Sequence, residues 1–181
     1  VLEDAQKRIF ELTDANQSAT FKTPKELIPR AIEAIEKLYH TRDAFTGIPT
    51  GFIELDQMTS GFQKSELIII GARPSVGKTA LALTMATHTA IKEKIPTAFF
   101  SLEMSDMQLM QRLISSESKI PSEKIRTGLL KISDFQLIQD AAGHIYDAPL
   151  YIVDMPNMKL LDLRAMARRL KAQFDIQILF I

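Results

Sequence analysis

Between Gly71 and Ala80 the chain reads Gly-Ala-Arg-Pro-Ser-Val-Gly-Lys-Thr-Ala, residue types that suit the holding of a polyphosphate. Gly77 lets the backbone approach a phosphate with no side chain in the way. From Ser75 and Val76 through Gly77 to Ala80, successive N–H groups enter a helix and form an anion-binding nest at its positive end. Lys78 supplies a point charge for the β and γ phosphates, and the Thr79 hydroxyl is a ligand for Mg²⁺. One position departs from the usual phosphate-loop pattern: its first glycine falls at Ala72, and Gly71 sits one place early. An ordinary strand-to-helix turn containing Gly-Lys-Thr is the alternative. The flanking residues weigh against it, so a nucleoside triphosphate site is expected.

A second chemical position follows. Glu103 lies just past the apolar run Thr97–Ser101, where ligands bind in open parallel sheets. A carboxylate there can orient and deprotonate a water attacking the γ-phosphate, worth about 10²–10⁴-fold in rate. A surface glutamate without such a role is the other reading. A third group, an acid that holds Mg²⁺ at the end of a later strand, is missing. Ile178-Leu179-Phe180-Ile181 has the right form but no acid follows it, and Asp154 is the in-chain substitute. Arg164, Arg168 and Lys171 share one helical stripe.

These groups need elements to position them. Leu67-Ile68-Ile69-Ile70 is short, apolar and rich in β-branched residues, which predicts a buried parallel strand entering the phosphate loop. A helix is predicted over Lys78–Lys92, then a strand over Thr97–Ser101. Ser105 and Gln108 have capping-box spacing for a helix reaching about Glu117. Pro121-Ser122 opens a short helix stopped at Gly128, and Ser133 is expected to cap another that ends near Tyr146. A strand at Leu150–Val153, a helix over Lys159–Gln173 and a strand over Ile176–Ile181 complete the series. Strands alternating with helices behind a phosphate loop predict an α/β fold with a parallel sheet and right-handed crossovers.

Upstream, Leu2, Ala5, Ile9 and Leu12 form the apolar seam of a short amphipathic helix. Residues 1–14 are read as a linker or docking helix, 15–23 as a flexible linker, and 24–181 as the N-terminal part of an ATPase domain. Thr23 and Glu26, with Pro24 between them, open a helix to about His40. The chain starts at Val1 and stops within an apolar run, so both ends are expected to be cut from something longer. Lys plus Arg equals Asp plus Glu at 22 each, so no global basicity advertises nucleic acid. Without cysteine there is no disulfide framework and no thiolate metal site. No apolar run reaches membrane-spanning length, so no membrane partner is expected.

Taken together, the motifs resemble the DnaB-type replicative DNA helicases of bacteria. The likeness rests on Gly47-Ile48-Pro49-Thr50-Gly51-Phe52 with Leu55-Asp56, then Ser60-Gly61-Phe62-Gln63, and on Gly71 to Ala80, where Ala72 is the family's usual form. Phe100-Ser101-Leu102-Glu103-Met104-Ser105 continues it, with support from Arg126-Thr127-Gly128 and Arg168-Arg169-Leu170-Lys171. The resemblance implies a RecA-like P-loop ATPase that binds ATP and Mg²⁺ and assembles as a ring hexamer around single-stranded DNA. It makes Glu103 the expected catalytic carboxylate beside Lys78, puts Arg112 near the nucleotide, and makes Leu2–Leu12 the helix that docks on the next subunit. It further implies primase and a helicase loader as partners, in the bacterial cytoplasm at the replication fork. The metal-holding aspartate, the DNA loops and the arginine finger are expected downstream of Ile181. With the DNA loops placed elsewhere, the resemblance implies that the stripe of Arg164, Arg168 and Lys171 is a solvated or subunit-facing surface rather than a DNA groove. A RecA- or RadA-like ATPase is the alternative, as is a nucleotide-binding, ring-assembly module without turnover.

Overall fold

Phe99 and Phe100 mark the centre of the fold. They lie on β1 (Thr97–Ser101), whose five residues are all buried. Alternate side chains on a strand leave by opposite faces, so Phe99 enters one core while Ala98 and Phe100 enter a second. Being buried on both faces suits a parallel sheet covered by helices on each side. In this computed structural model, which describes residues 23–41 and 45–181, β1 is flanked by β2 (Leu150–Asp154) and β3 (Ile178–Phe180). The order is β2-β1-β3. Both pairings are parallel, with Thr97 opposite Leu150 on one side and Ile178 on the other.

The helices in chain order are α1 (Pro24–Thr41), α2 (Ile53–Thr59), α3 (Lys78–Thr87), α4 (Asp106–Ser118), α5 (Ser122–Thr127), α6 (Ile132–Tyr146) and α7 (Leu160–Phe174). A π turn, His88–Lys92, continues α3. The first core joins Phe99 to Leu83 and Met85 of α3, Leu109 and Leu113 of α4, and Ile145 of α6. The second joins Phe100 to Leu170 of α7 and Ile176. Phe100, Leu109 and Leu113 are each fully buried, and such burial contributes about 1.5–3 kcal/mol per side chain. A single turn hydrogen bond contributes only about 0.5–1.5 kcal/mol, so the two cores fix the sheet and the loops follow.

Residues Ala44–Ile181 form one compact unit, and α1 falls in the other, Val1–Asp43. α1 starts where Thr23 and Glu26 predict it; the Thr23 hydroxyl donates to the Glu26 carboxylate at 3.0 Å. Pro29 sits inside it without ending it. The helix expected over Leu2–Leu12 and the linker up to residue 22 lie outside the described residues.

Several boundaries fall where local chemistry places them. Ser105 and Gln108 exchange the two bonds of a capping box, 3.3 and 3.1 Å. Gly128, at φ +73°, ends α5. α6 begins earlier than expected: Lys131, not Ser133, is its N-cap, because the Asp134 carboxylate reaches back to the Lys131 amide at 2.9 Å.

The predicted strand at Leu67–Ile70 requires correction. The segment has no sheet partner. Leu67 and Ile69 are 87% and 83% exposed, and only Ile70 packs against the first core. An apolar run supplies strand propensity, but a strand also needs a neighbour to take its N–H and C=O groups. The segment and β3 both line a cavity of about 610 Å³ instead of pairing.

The turn-rich stretch before it is tightly fastened. Ile48 and Phe62 form an antiparallel bridge. Asp56, 3% exposed, accepts from the amides of Thr50 and Gly51 at 2.8 and 3.1 Å. Gly51 has φ +87°, and a Cβ there would meet the His88 ring at 2.5 Å. The loop is thereby seated on the far end of the helix that begins at the phosphate loop, where Thr89 also donates to Pro49 O at 3.3 Å.

Candidate active site

The phosphate-loop residues lie at the mouth of α3. Gly77 is the N-cap of that helix, with φ +105° and ψ 21°, a left-handed conformation that costs glycine least. Ser75 also has positive φ, 65°, so the chain from Ser75 to Gly77 turns sharply before Lys78 opens the helix. Successive amides in such a turn converge on an anion. No atom comes within 4 Å of where a Cβ on Gly77 would lie, which leaves the cradle open to a ligand. The loop is solvent-exposed throughout, and Thr79 is half-buried.

Glu103 is carried by the turn that follows β1. Ser101, the last residue of that strand, is buried, and the turn carries Leu102 and Glu103 outward into solvent. Lys78, Thr79 and Glu103 line one cavity of about 610 Å³, walled by apolar residues that include Ala82, Phe99 and Phe180. Among the described residues, neither Lys78 nor Glu103 has an ion-pair partner. The site thus offers a free ammonium group, a hydroxyl and a free carboxylate at the C-terminal edge of a parallel sheet. That combination can hold a polyphosphate and present a base to water.

Arg112 stands apart from this group. It lies on α4 and, with Ala80, Thr84 and Ser115, lines a second recess of about 310 Å³. Asp154 also has other work: it ends β2 opposite Ser101, and its carboxylate accepts from the Asp106 amide at 3.1 Å, at the start of α4. It does not line the cavity that Lys78 and Glu103 share. No cluster of three or more His, Asp or Glu residues that could hold a metal exists among the described residues. The Thr79 hydroxyl, beside the phosphate loop, is a group that could share Mg²⁺ with the phosphates of a ligand. Sequence reasoning did not find the Ser101 turn or the buried Asp56. The available signals were a serine closing an otherwise apolar strand, and an aspartate five residues after Gly51.

The sequence pattern of the DnaB-like helicase C-terminal domain matches residues 47–181. The replicative DNA helicase DnaB of Treponema pallidum is 61% identical over the whole of this chain, which spans 41% of that protein. The replicative DNA helicase DnaB of Geobacillus stearothermophilus is 42% identical over the whole chain, which spans 40% of it. The chain therefore spans about two fifths of the length of these relatives. Among solved structures, a DnaB-like replicative helicase, described with its interactions with primase, superposes with a TM-score of 0.75 at 27% identity, covering 96% of this chain and 42% of that one. A separately solved ATPase domain also gives 0.75, at 28% identity, covering 83% of this chain and 54% of that one.

Proposed function

The chain belongs to the DnaB-like helicase C-terminal domain family, and from that premise we propose that it is the N-terminal part of an ATP-driven replicative DNA helicase motor. The observation that carries the proposal is the shared cavity of Lys78, Thr79 and Glu103 at the sheet edge. The amides from Ser75 to Ala80 hold the phosphates of ATP at the positive end of α3. Lys78 binds the β and γ phosphates, and Thr79 ligates Mg²⁺. Bound Mg²⁺ neutralises charge that builds on the phosphate oxygens. Glu103 orients the attacking water and takes its proton. Arg112, which lines the second recess, is assigned to the remainder of the nucleotide.

The larger assembly belongs to the same proposal. The complete polypeptide works as a ring hexamer on single-stranded DNA in the bacterial cytoplasm, with residues 1–14 docking on the next subunit and 15–23 as the linker. Primase and a loader are its proposed partners. The remaining machinery, including the metal-holding aspartate, the DNA loops and an arginine finger, is assigned to sequence that follows Ile181 in the relatives. Duplex unwinding by the complete polypeptide, measured with a fluorescently labelled fork and ATP, tests the proposal. A non-hydrolysable ATP analogue should support binding to single strands but no unwinding. Unwinding at the ATP rate with that analogue would refute an ATP-driven motor.

A further inference from the structure

We propose that Ser101 is the positioning residue for Glu103, setting the place of the carboxylate without touching the nucleotide. The inference rests on the reading of Glu103 as the base. Glu103 itself is solvent-exposed and has no side-chain partner among the described residues. Its place is therefore set by the backbone beneath it.

That backbone is fastened by one hydroxyl. Ser101 is 6% exposed. Its Oγ donates to Met104 O at 2.5 Å and accepts from Met104 N at 3.1 Å. The two bonds close the turn Ser101–Met104, with Leu102 and Glu103 at its apex. On the strand side, the Ser101 carbonyl accepts from the Met155 amide at 3.3 Å. On the helix side, Asp154 takes the Asp106 amide at 3.1 Å and the Ser105 box begins α4. Both roots of the turn are held by other groups; among the described residues, only the Ser101 hydroxyl spans it. Removing that hydroxyl leaves β1 and α4 in place and frees Leu102 and Glu103 at the apex of the turn. A displacement of about 1 Å in a reacting group can cost about 10²-fold in rate.

The experiment compares Ser101→Ala, Ser101→Thr and Glu103→Gln in the complete polypeptide, by steady-state ATPase with single-stranded DNA and by nucleotide titration. Ser101→Ala should lower kcat about ten- to a hundredfold, with KM and nucleotide affinity within about twofold of the parent. Ser101→Thr keeps the hydroxyl and should recover kcat to within about threefold. On a Glu103→Gln background, Ser101→Ala should cost nothing further, because a positioning role disappears with the group it positions. Ser101→Cys, of similar volume but weak as a hydrogen-bonding group, replaces the alanine variant if that one does not fold. If Glu103→Gln abolishes turnover while Ser101→Ala keeps the parental kcat, or if the threonine variant is as slow as the alanine, the positioning role is overturned. Parental turnover in Glu103→Gln would instead remove the base on which the inference rests.

Discussion

The carboxylate of Asp56, buried on α2, accepts the Thr50 amide at 2.8 Å. It takes the Gly51 amide as well, at 3.1 Å. Replacing Asp56 by Ala strands the buried Thr50 amide, which costs about 1–3 kcal/mol when left unsatisfied, and releases the part-buried Gly51 amide, which water can reach. A loss of about 1–3 kcal/mol in urea-unfolding free energy is expected, with a smaller loss for Asp56→Asn, which keeps one acceptor. An unchanged urea midpoint in Asp56→Ala would contradict the structural role.

Asp154 serves the start of α4. Its carboxylate takes the Asp106 amide at 3.1 Å in an exposed setting, so Asp154→Ala should cost about 0.5–2 kcal/mol, the range for a lost helix cap. The Mg²⁺ dependence of nucleotide binding should stay within about twofold of the parent. A large rise in the Mg²⁺ concentration needed for binding would make Asp154 a metal acid after all.

What was legible in the sequence divides along a physical line. The strand Thr97–Ser101, the Ser105–Gln108 box and the Gly128 stop depend on residues within a few positions of one another, and each stands where the pattern puts it. The pairing of Leu67–Ile70 depends on a lateral neighbour distant in sequence, and no local pattern reports whether that neighbour engages. The residues Lys78, Thr79 and Glu103 were legible as chemistry from motif and strand end, and one cavity joins them. Arg112 was placed near nucleotide by family likeness alone, and it faces a different recess. The work of Asp56 and Ser101 was hidden because a buried carboxylate and a serine at a strand end look ordinary until their backbone partners are seen.

At the C-terminus of α7, Lys171 and Asp175 pair at 2.7 Å. The Lys171 hydrogen bond, aided by its charge, holds the Asp175 carboxyl below its ordinary 3.8. A depressed carboxylate stabilises the fold above its unfolded pKa, and that contribution is lost as pH falls through the folded value. NMR titration of the Asp175 carboxyl carbon should give a midpoint below 3.8, returning toward it in Lys171→Met. Equal midpoints in both proteins would show that the pair does not form in solution.

The apolar seam of Leu2, Ile9 and Leu12 is proposed to dock on a neighbouring subunit. Ile9→Asp with Leu12→Asp in the complete polypeptide should weaken ring assembly, because charge would replace apolar contact at the seam. Residues 44–181 should keep their cooperative melting transition. Sedimentation at micromolar concentration reads the outcome, and an unchanged assembly mass would count against docking through this segment.

The central claim divides the cavity into a binding group and a chemical group. In this proposal Lys78 meets the phosphates in the ground state, so Lys78→Ala should weaken ATP affinity and turnover together. Glu103 is proposed to act on water in the transition state, so Glu103→Gln should keep ATP affinity and ring assembly. The direct measurement is the steady-state ATPase rate of Glu103→Gln with single-stranded DNA, paired with a fluorescence titration of nucleotide. A loss of at least about tenfold, and up to about 10²-fold or more, at unchanged affinity is predicted. Hydrolysis at the parental rate would contradict the assignment and send the search for the base elsewhere.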